Sequence, residues 1–184
     1  MGTAEVAAEA GCLERRLGGD AGFFCEKVSD LGPRTVVLQL QRSGQRSGTG
    51  EAEKVHVVLE SGVRFHATRF PLERPDHPSN FAMKLRKHLK QKRLVRVSQV
   101  GLDRVVDFEF ERAGGTNHLL LELYARGNVV LTDGDYKVLT LLRSHRDDAA
   151  GIEATMANRP YPLSQARDSE VGACGEAFLA AALR

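Results

Sequence analysis

The sequence predicts an α+β fold in which mostly antiparallel strands form a sandwich or an open barrel with flanking helices. About eight short runs are rich in β-branched and aromatic residues, which is typical of strands. Turn dipeptides such as Gly114-Gly115 and Asp133-Gly134 separate several of these runs, and few helical segments lie between them. Because parallel strands need long crossover connections, this spacing favours antiparallel pairing.

The first half of the chain begins with a predicted helix over residues 4–17. This segment is rich in alanine, carries acids early and ends in Arg15 and Arg16, which complement the helix dipole. A Gly-Gly pair then ends the helix. Residues 41–53 are rich in Gly and Ser and are predicted to form a flexible loop. Strands are predicted over 36–40, 54–60 and 64–68.

The second half begins with prolines that break regular structure and then a predicted helix over residues 80–92. Ser79 or Asn80 is its expected N-cap. Residues 143–175 are polar and irregular, and residues 176–183 are predicted to begin a further helix. Five more strands are predicted, the last three as an antiparallel meander: 94–100, 104–110, 118–123, 129–131 and 137–142.

The charge of the chain is distributed unevenly along its 184 residues. The formal net charge is only +2. Residues 77–104, however, carry eight basic side chains and one acidic side chain, whereas the segments on either side are slightly acidic. The sequence therefore describes a mildly acidic domain with one strongly basic strip.

Much of this strip belongs to the helix predicted over 80–92. At 100° per residue, Arg86, Lys87 and Lys90 point away from the apolar face, and Lys84 lies beside it. His88 is on the apolar side, and we expect it to be a packed histidine and not a catalytic one. The apolar face consists of Phe81, Ala82, Leu85, His88 and Leu89.

No acidic residue between positions 77 and 102 relieves the repulsion among these cations. Like charges at i,i+3 and i,i+4 repel by roughly 0.2–0.5 kcal/mol per pair, so a merely solvated helix usually includes glutamates. The excess favours contact with a phosphate backbone. A solvated charged face, a nuclear import signal and a membrane-surface patch are the alternatives. The candidate phosphate-binding residues are Lys84, Arg86, Lys87, Lys90, Lys92, Arg93 and Arg96.

Asp103 and Arg104 form the second candidate feature. Asp103 is the only acid in the basic strip and stands directly before a predicted strand. A guanidinium donates a planar fork and a carboxylate accepts from exocyclic amines, so the pair is suited to reading nucleobases. A local turn stabilised by a salt bridge is the alternative. Because a carboxylate weakens nonspecific phosphate binding, its presence here favours selectivity.

Several classes of protein are not supported by the sequence. Cys12, Cys25 and Cys174 lie outside any C-x-x-C or metal-ligand spacing, which predicts neither a disulfide framework nor a metal site. No nucleophile, phosphate-loop or dinucleotide motif is present, which predicts a protein that is not an enzyme and uses no cofactor. The absence of a long apolar run and the acids near the N-terminus predict a cytosolic protein without a membrane partner. The basic strip leaves shuttling into the nucleus open.

Five segments together resemble the N-terminal domain of the NFACT family, and in particular of its eukaryotic members. The likeness covers about residues 34–170. The matching segments are VLESGVRFHAT at 58–68, SNFAMKLRKHLK at 79–90, GLDRVVDF at 101–108, ELYARGNVVLTD at 122–133 and RPYPL at 159–163.

The resemblance implies a component of ribosome-associated quality control. Such proteins bind the separated large ribosomal subunit that carries stalled peptidyl-tRNA, and they help to recruit an E3 ubiquitin ligase. They also bind tRNA and recruit aminoacyl-tRNA for untemplated C-terminal tails of alanine or of alanine and threonine. The family's Asp-Arg motif, matched by Asp103-Arg104, is associated with tRNA and is needed for tail elongation.

The resemblance also implies a fold like the N-terminal domain of formamidopyrimidine-type DNA glycosylases. Those enzymes use an N-terminal Pro followed by Glu, whereas this chain begins Met1-Gly2-Thr3, which predicts no glycosylase chemistry. Where the family carries an Asp before its first helix, Glu5 is an approximate substitute. A degenerate DNA-binding relative of the glycosylases and a nuclear-transport or scaffold adaptor are the alternative functions.

The predicted domain occupies residues 1–170, and residues 171–184 are predicted to begin the helical region that follows it in the family. The coiled-coil arms, where contact with the ligase is expected, and the C-terminal RNA-binding domain would lie beyond residue 184. The chain is therefore expected to be a fragment or a truncated product.

Overall fold

A computed structural model describes residues 1–46, 52–70, 72, 77–143 and 157–163. Helix α1 spans Thr3–Leu17, and a short 3-10 turn at Gly19–Ala21 follows it. Helix α2 spans Asn80–Leu89. The described residues form nine strands, namely β1 (Phe23–Gly32), β2 (Thr35–Arg46), β3 (Ala52–Glu60), β4 (Arg64–Thr68), β5 (Arg93–Gln99), β6 (Val105–Arg112), β7 (Gly115–Glu122), β8 (Asn128–Asp133) and β9 (Val138–Leu141).

These strands form one antiparallel sheet in the order β4-β3-β2-β1-β5-β6-β7-β8-β9. The predicted α+β class with mostly antiparallel strands is thus confirmed, as is the meander of the last three strands. The sheet is nearly divided at its centre, because β1 and β5 pair only at Phe24 and Arg93. The two halves face each other across the core, where the rings of Phe65 on β4 and Phe108 on β6 meet edge to face with centroids 6.1 Å apart.

The turns between β3 and β4 and between β7 and β8 meet at one end of the molecule. The Gly62 amide donates to the carbonyl of Glu122 at 3.0 Å. Gly62 and Gly127 both have positive φ, and their backbones approach so closely that a Cβ at Gly127 would overlap the Gly62 backbone. Both positions therefore require glycine.

Each helix covers a strand edge that the limited β1–β5 pairing leaves open. Helix α1 packs Val6, Ala10, Leu13 and Leu17 into the core and lies along β5. Its Glu14 carboxylate accepts a hydrogen bond from the Val97 amide of β5 at 2.5 Å. A backbone amide at a sheet edge is unfavourable when it has no hydrogen-bond acceptor. The Glu14 carboxylate supplies the acceptor for the Val97 amide.

Helix α2 has the same relation to β1. Its Arg86 Nε donates to the Val28 carbonyl of β1 at 2.5 Å, and the amide of Ser79, its N-cap, donates to the Asp30 carboxylate at 3.1 Å. The chain then passes into β5 with Gln91 at a positive φ of 63°. The predicted helix over 80–92 is thus three residues too long, because α2 ends at Leu89.

Strand β1 was not predicted from the sequence, which is why the expected count of about eight strands was one short. Its register shifts between Cys25 and Lys27, so Glu26 is the extra residue of a β-bulge opposite β2. Glu26 and Lys27 are consequently both exposed, whereas Cys25 and Val28 are buried. The bulge interrupts the period-two alternation by which a strand is recognised.

The prediction of a flexible loop over residues 41–53 is wrong at both ends of that range. Strand β2 continues to Arg46 and β3 begins at Ala52, which leaves only residues 47–51 outside the described residues. Arg42 holds the base of this hairpin, with Nε donating to the Ala21 carbonyl at 2.9 Å and Nη1 lying 3.3 Å from Glu53. The predicted irregular segment 143–175 and the predicted helix at 176–183 lie largely or wholly outside the described residues.

Candidate nucleic-acid interface

Helix α2 is positioned by signals in its own sequence. The Ser79 side chain accepts a hydrogen bond from the Ala82 amide at 3.1 Å and so caps the helix, as predicted. Ala82, Leu85 and Leu89 are buried, which confirms the predicted apolar face. His88 is half-buried beside them.

Two lysines of α2 and the lysine directly after its last residue follow one another at i, i+3 and i+6, away from the buried face. Lys84, Lys87 and Lys90 are all exposed. No hydrogen bond or ion pair among the described residues engages their ammonium groups, and α2 contains no acid. This set, called here the lysine row, therefore presents positive charge to solvent.

Three other cations of the predicted strip are engaged within the protein. Arg86 is partly buried and bonded to β1 as described above. Lys92 Nζ donates to the Gly115 carbonyl at 2.6 Å, and burial together with nearby Arg112 lowers the pKa of its ammonium group. Arg96, exposed on β5, forms an ion pair with Glu109 at 2.9 Å. Arg93 is half-buried at the start of β5.

Asp103 and Arg104 lie in the turn from β5 to β6, at the opposite end of β5 from α2. A seven-residue strand spans about 20 Å, so the predicted strip is divided between two surfaces. The Asp103 amide donates to the Val100 carbonyl at 3.1 Å, and Gln99 Nε2 donates to the Asp103 carbonyl at 2.7 Å. These hydrogen bonds help to hold residues 100–104, called here the Asp-Arg turn, while the Arg104 side chain is exposed.

The Asp-Arg turn adjoins a polar cluster that sequence reasoning missed. The Arg104 carbonyl accepts from the Leu123 amide at 2.8 Å, which places the turn beside Tyr124. Tyr161 donates its hydroxyl proton to buried Glu122 at 2.9 Å. Burial and the adjacent Glu122 carboxylate raise the pKa values of both tyrosines. The RPYPL segment carries Tyr161, so its match to the family was the signal that could have identified it.

The start of α1 lies at the same end of the molecule. Gln99 Nε2 is 3.3 Å from the Thr3 carbonyl as well as 2.7 Å from the Asp103 carbonyl, so it links α1 to the Asp-Arg turn. The Glu5 carboxylate accepts from the Gly2 amide at 2.6 Å at the beginning of α1. Glu5 therefore caps the first turn of the helix near the Asp-Arg turn.

A second polar network is buried on the outer face of the β6–β7 pair. The Asp107 carboxylate lies 2.9 Å from His118 Nδ1 and accepts from the Tyr136 hydroxyl at 2.8 Å. The rings of His118 and Tyr136 stack with centroids 4.1 Å apart. These contacts tie the β8–β9 turn to the sheet. Asp107 and His118 sit diagonally on neighbouring strands, a pairing that cannot be found without the register.

Cysteines, clusters of metal-ligating side chains and membrane-spanning helices are the remaining candidate features of the described residues. Cys12 is exposed, whereas burial and nearby Glu26 raise the pKa of the Cys25 thiol to about 12. Cys174 lies outside the described residues. In the described ranges, no group of three or more His, Cys, Asp or Glu side chains is placed to hold a metal ion. No helix in the same ranges is long and apolar enough to cross a membrane.

Comparison with known proteins defines the class to which this fold and these motifs belong. The family model of the NFACT N-terminal and middle domains matches residues 25–170. The chain therefore belongs to the NFACT N-terminal domain family, as its motifs predicted.

Curated relatives carry names from ribosome quality control. The chain is 42% identical over 146 residues to the ribosome quality control complex subunit NEMF homolog of Drosophila melanogaster. It is also 42% identical over 149 residues to the ribosome quality control complex subunit NEMF of Homo sapiens. These matches cover 79% and 81% of this chain but only 14% and 13% of the relatives, so the chain spans a small part of their length.

Solved bacterial structures share the fold at low sequence identity. The N-terminal domain of the fibronectin-binding protein PavA from Streptococcus pneumoniae matches with a TM-score of 0.75 and 19% identity, over 98% of this chain and 71% of that one. The N-terminal part of the fibronectin/fibrinogen-binding protein from Streptococcus suis matches with a TM-score of 0.68 and 18% identity, over 83% of this chain and 57% of that one. The likeness to DNA glycosylases stays a prediction.

Proposed function

We propose that this domain is a nonenzymatic RNA-binding module of ribosome quality control and that tRNA is its ligand. The lysine row is the observation that carries the proposal. Lys84 and Lys87 are exposed on one side of a helix whose other side is buried, Lys90 is exposed directly after that helix, and no acid on α2 offsets them. Such a row suits the regularly spaced phosphates of a nucleic-acid backbone.

The Asp-Arg turn supplies selectivity in this proposal. Arg104 is exposed and Asp103 is half-buried, in a turn whose backbone is fixed by hydrogen bonds. A carboxylate and a guanidinium fork can recognise the edge of an unpaired base. Because the turn lies about 20 Å from α2, one RNA molecule would have to span both surfaces.

The names of the relatives supply the cellular context of the proposal. They support a role in ribosome quality control, in which the full-length protein would act in the cytoplasm on the large ribosomal subunit with stalled peptidyl-tRNA. The domain would support recruitment of aminoacyl-tRNA for C-terminal tails of alanine and threonine. Contact with an E3 ubiquitin ligase would use regions outside this chain.

A salt titration of tRNA binding tests the lysine row. We expect Lys84→Glu/Lys87→Glu to weaken tRNA affinity at least ten-fold near physiological salt. The slope of log K against log salt should also become shallower by about two, because two phosphate contacts are lost. Fluorescence anisotropy with labelled tRNA measures both quantities.

The matched control is Arg15→Glu/Arg16→Glu, which reverses two exposed cations on α1. This variant should bind tRNA within about two-fold of the native chain. Equal effects of the two double variants would show that net charge, and not the lysine row, governs binding. Tighter binding to duplex DNA than to tRNA would favour the glycosylase-like alternative. Binding to an import receptor without RNA affinity would favour the adaptor.

Arg104→Ala tests the Asp-Arg turn in the same assay. We expect the variant to keep most of its total tRNA affinity but to discriminate less between different tRNAs. A good bidentate base contact is worth about 1–3 kcal/mol of discrimination. A uniform loss across all tRNAs, with a shallower salt slope, would instead make Arg104 a phosphate contact.

A further inference from the structure

An open groove of about 330 Å³ separates α2 from β1, beside the lysine row. Its volume is at the lower end of the range that ligand sites occupy. Three of its lining residues are cations, one is a carboxylate, and two are buried core residues. The lining residues are Cys25, Glu26, Lys27, Val28, Arg86 and Lys90.

The contacts of Arg86 orient its guanidinium group within this groove. Nε is fixed by the hydrogen bond to the Val28 carbonyl, which uses one of the five N–H donors of the group. None of the hydrogen bonds among the described residues engages the two Nη atoms. A guanidinium held at one edge with its other donors available is preorganised for bidentate binding of a phosphate.

The β-bulge adds Lys27 to the same groove. Because Glu26 is the extra residue, the following side chain is turned out of the core and lies alongside α2. The single carboxylate of the groove is already engaged, since Gln39 Nε2 donates to Glu26 at 2.5 Å. Lys27, Arg86 and Lys90 therefore leave the groove with a net positive charge.

We propose that the α2–β1 groove binds a phosphodiester group of the RNA backbone and so anchors the strand that runs along the lysine row. This inference rests on the proposed function. Arg86 and Lys90 come from the predicted basic strip, whereas Lys27 comes from a strand distant in sequence. The carbonyl end of α2 carries partial negative charge, so an anion is held there only by side-chain cations. Removing one of these cations should therefore weaken RNA binding measurably.

Lys27→Ala is the diagnostic variant, measured by anisotropy with labelled tRNA across a salt series. We expect affinity to fall about five-fold near 0.15 M salt and the salt slope to become shallower by about one. Lys27→Arg should restore both values. Lys137→Ala is the control, because Lys137 is an exposed lysine on the other half of the sheet. A circular dichroism melt of each variant establishes that it is folded.

The outcomes separate this proposal from the proposed function. If Lys84→Glu/Lys87→Glu weakens tRNA binding but Lys27→Ala behaves like Lys137→Ala, the groove is not a phosphate site and the proposed function stands. If the native chain binds no RNA, both proposals fail. In the NMR spectrum, tRNA should shift the Arg86 Nε–H resonance. A shift caused by a phosphoserine peptide but not by tRNA would overturn the assignment to RNA.

Discussion

Helices α1 and α2 lie on either side of the single β1–β5 pair, and each covers a strand edge that the sheet leaves open. Each packs an apolar face into the core and uses one charged side chain to satisfy an edge backbone group. Glu14 of α1 accepts from an amide, and Arg86 of α2 donates to a carbonyl. The two helices thus perform the same structural task with opposite charges.

Their outer surfaces differ in a way that this shared task does not explain. Helix α1 has an acid in its first turn, Glu5, and two bases in its last turn, Arg15 and Arg16, as the helix dipole favours. The charged side chains of α2 are all cationic, although like charges repel one another. Because α1 covers its strand without such a surplus, the lysine row of α2 is not required for the fold, which supports a binding role for it.

Removing the two edge contacts tests whether the helices are structurally equivalent. We expect Glu14→Ala to lower the free energy of unfolding by about 1–3 kcal/mol, because it leaves the amide of buried Val97 without its acceptor. Arg86→Ala should cost about 1 kcal/mol, since water in the open groove can reach the Val28 carbonyl. Urea denaturation measures both changes.

Glu14→Ala and Arg86→Ala also distinguish an effect on stability from an effect on tRNA binding. Glu14→Gln retains a side-chain oxygen and should recover part of the lost stability. Only Arg86→Ala should also weaken tRNA binding, because Glu14 lies on the helix without a lysine row. Similar losses of tRNA affinity in folded Glu14→Ala and Arg86→Ala would show that the two helices do not differ in RNA binding.

The elements that the sequence predicted well are those defined by local signals. Helix α2 follows from its Ser79 cap and from apolar residues at helical spacing, and both features are present. The strands of the meander follow from β-rich runs between turn dipeptides. In each case the information lies within about ten consecutive residues, where the periodicity is uninterrupted.

The parts that were missed depend on contacts between distant segments. Strand β1 escaped prediction because the bulge at Glu26 breaks its alternation. The groove could not be predicted because 58 positions separate Arg86 from Val28, to which it bonds. The basic residues of 77–104 are close together in sequence, which suggested one basic strip. In the structure, strand β5 separates the Asp-Arg turn from α2.

Substitution of His88 should have the smallest effect on stability among these variants. It tests the influence of the positive charge on α2 at a single side chain. Burial and the neighbouring Lys87 and Lys92 lower its pKa below the ordinary 6.5. The unfolded chain then binds the proton more readily than the folded chain, so the free energy of unfolding should fall as the pH decreases through about 6.5. His88→Gln cannot take up this proton, and its urea denaturation should show a shallower loss of stability between pH 7.5 and pH 5.5.

Lys87→Gln separates the effect of the Lys87 charge on the pKa of His88 from the other causes of the shift. If the lysine contributes through its charge, removing it should bring the pKa of His88 closer to 6.5 and reduce the pH dependence by part of the His88→Gln effect. High salt should reduce it in the same way, because screening weakens the repulsion between partly exposed charges. An unchanged pH dependence in Lys87→Gln would show that the charge of Lys87 does not contribute to the lowered pKa of His88. The charge surplus of α2 would then cost the fold little, and the contrast with α1 would concern ligand binding only.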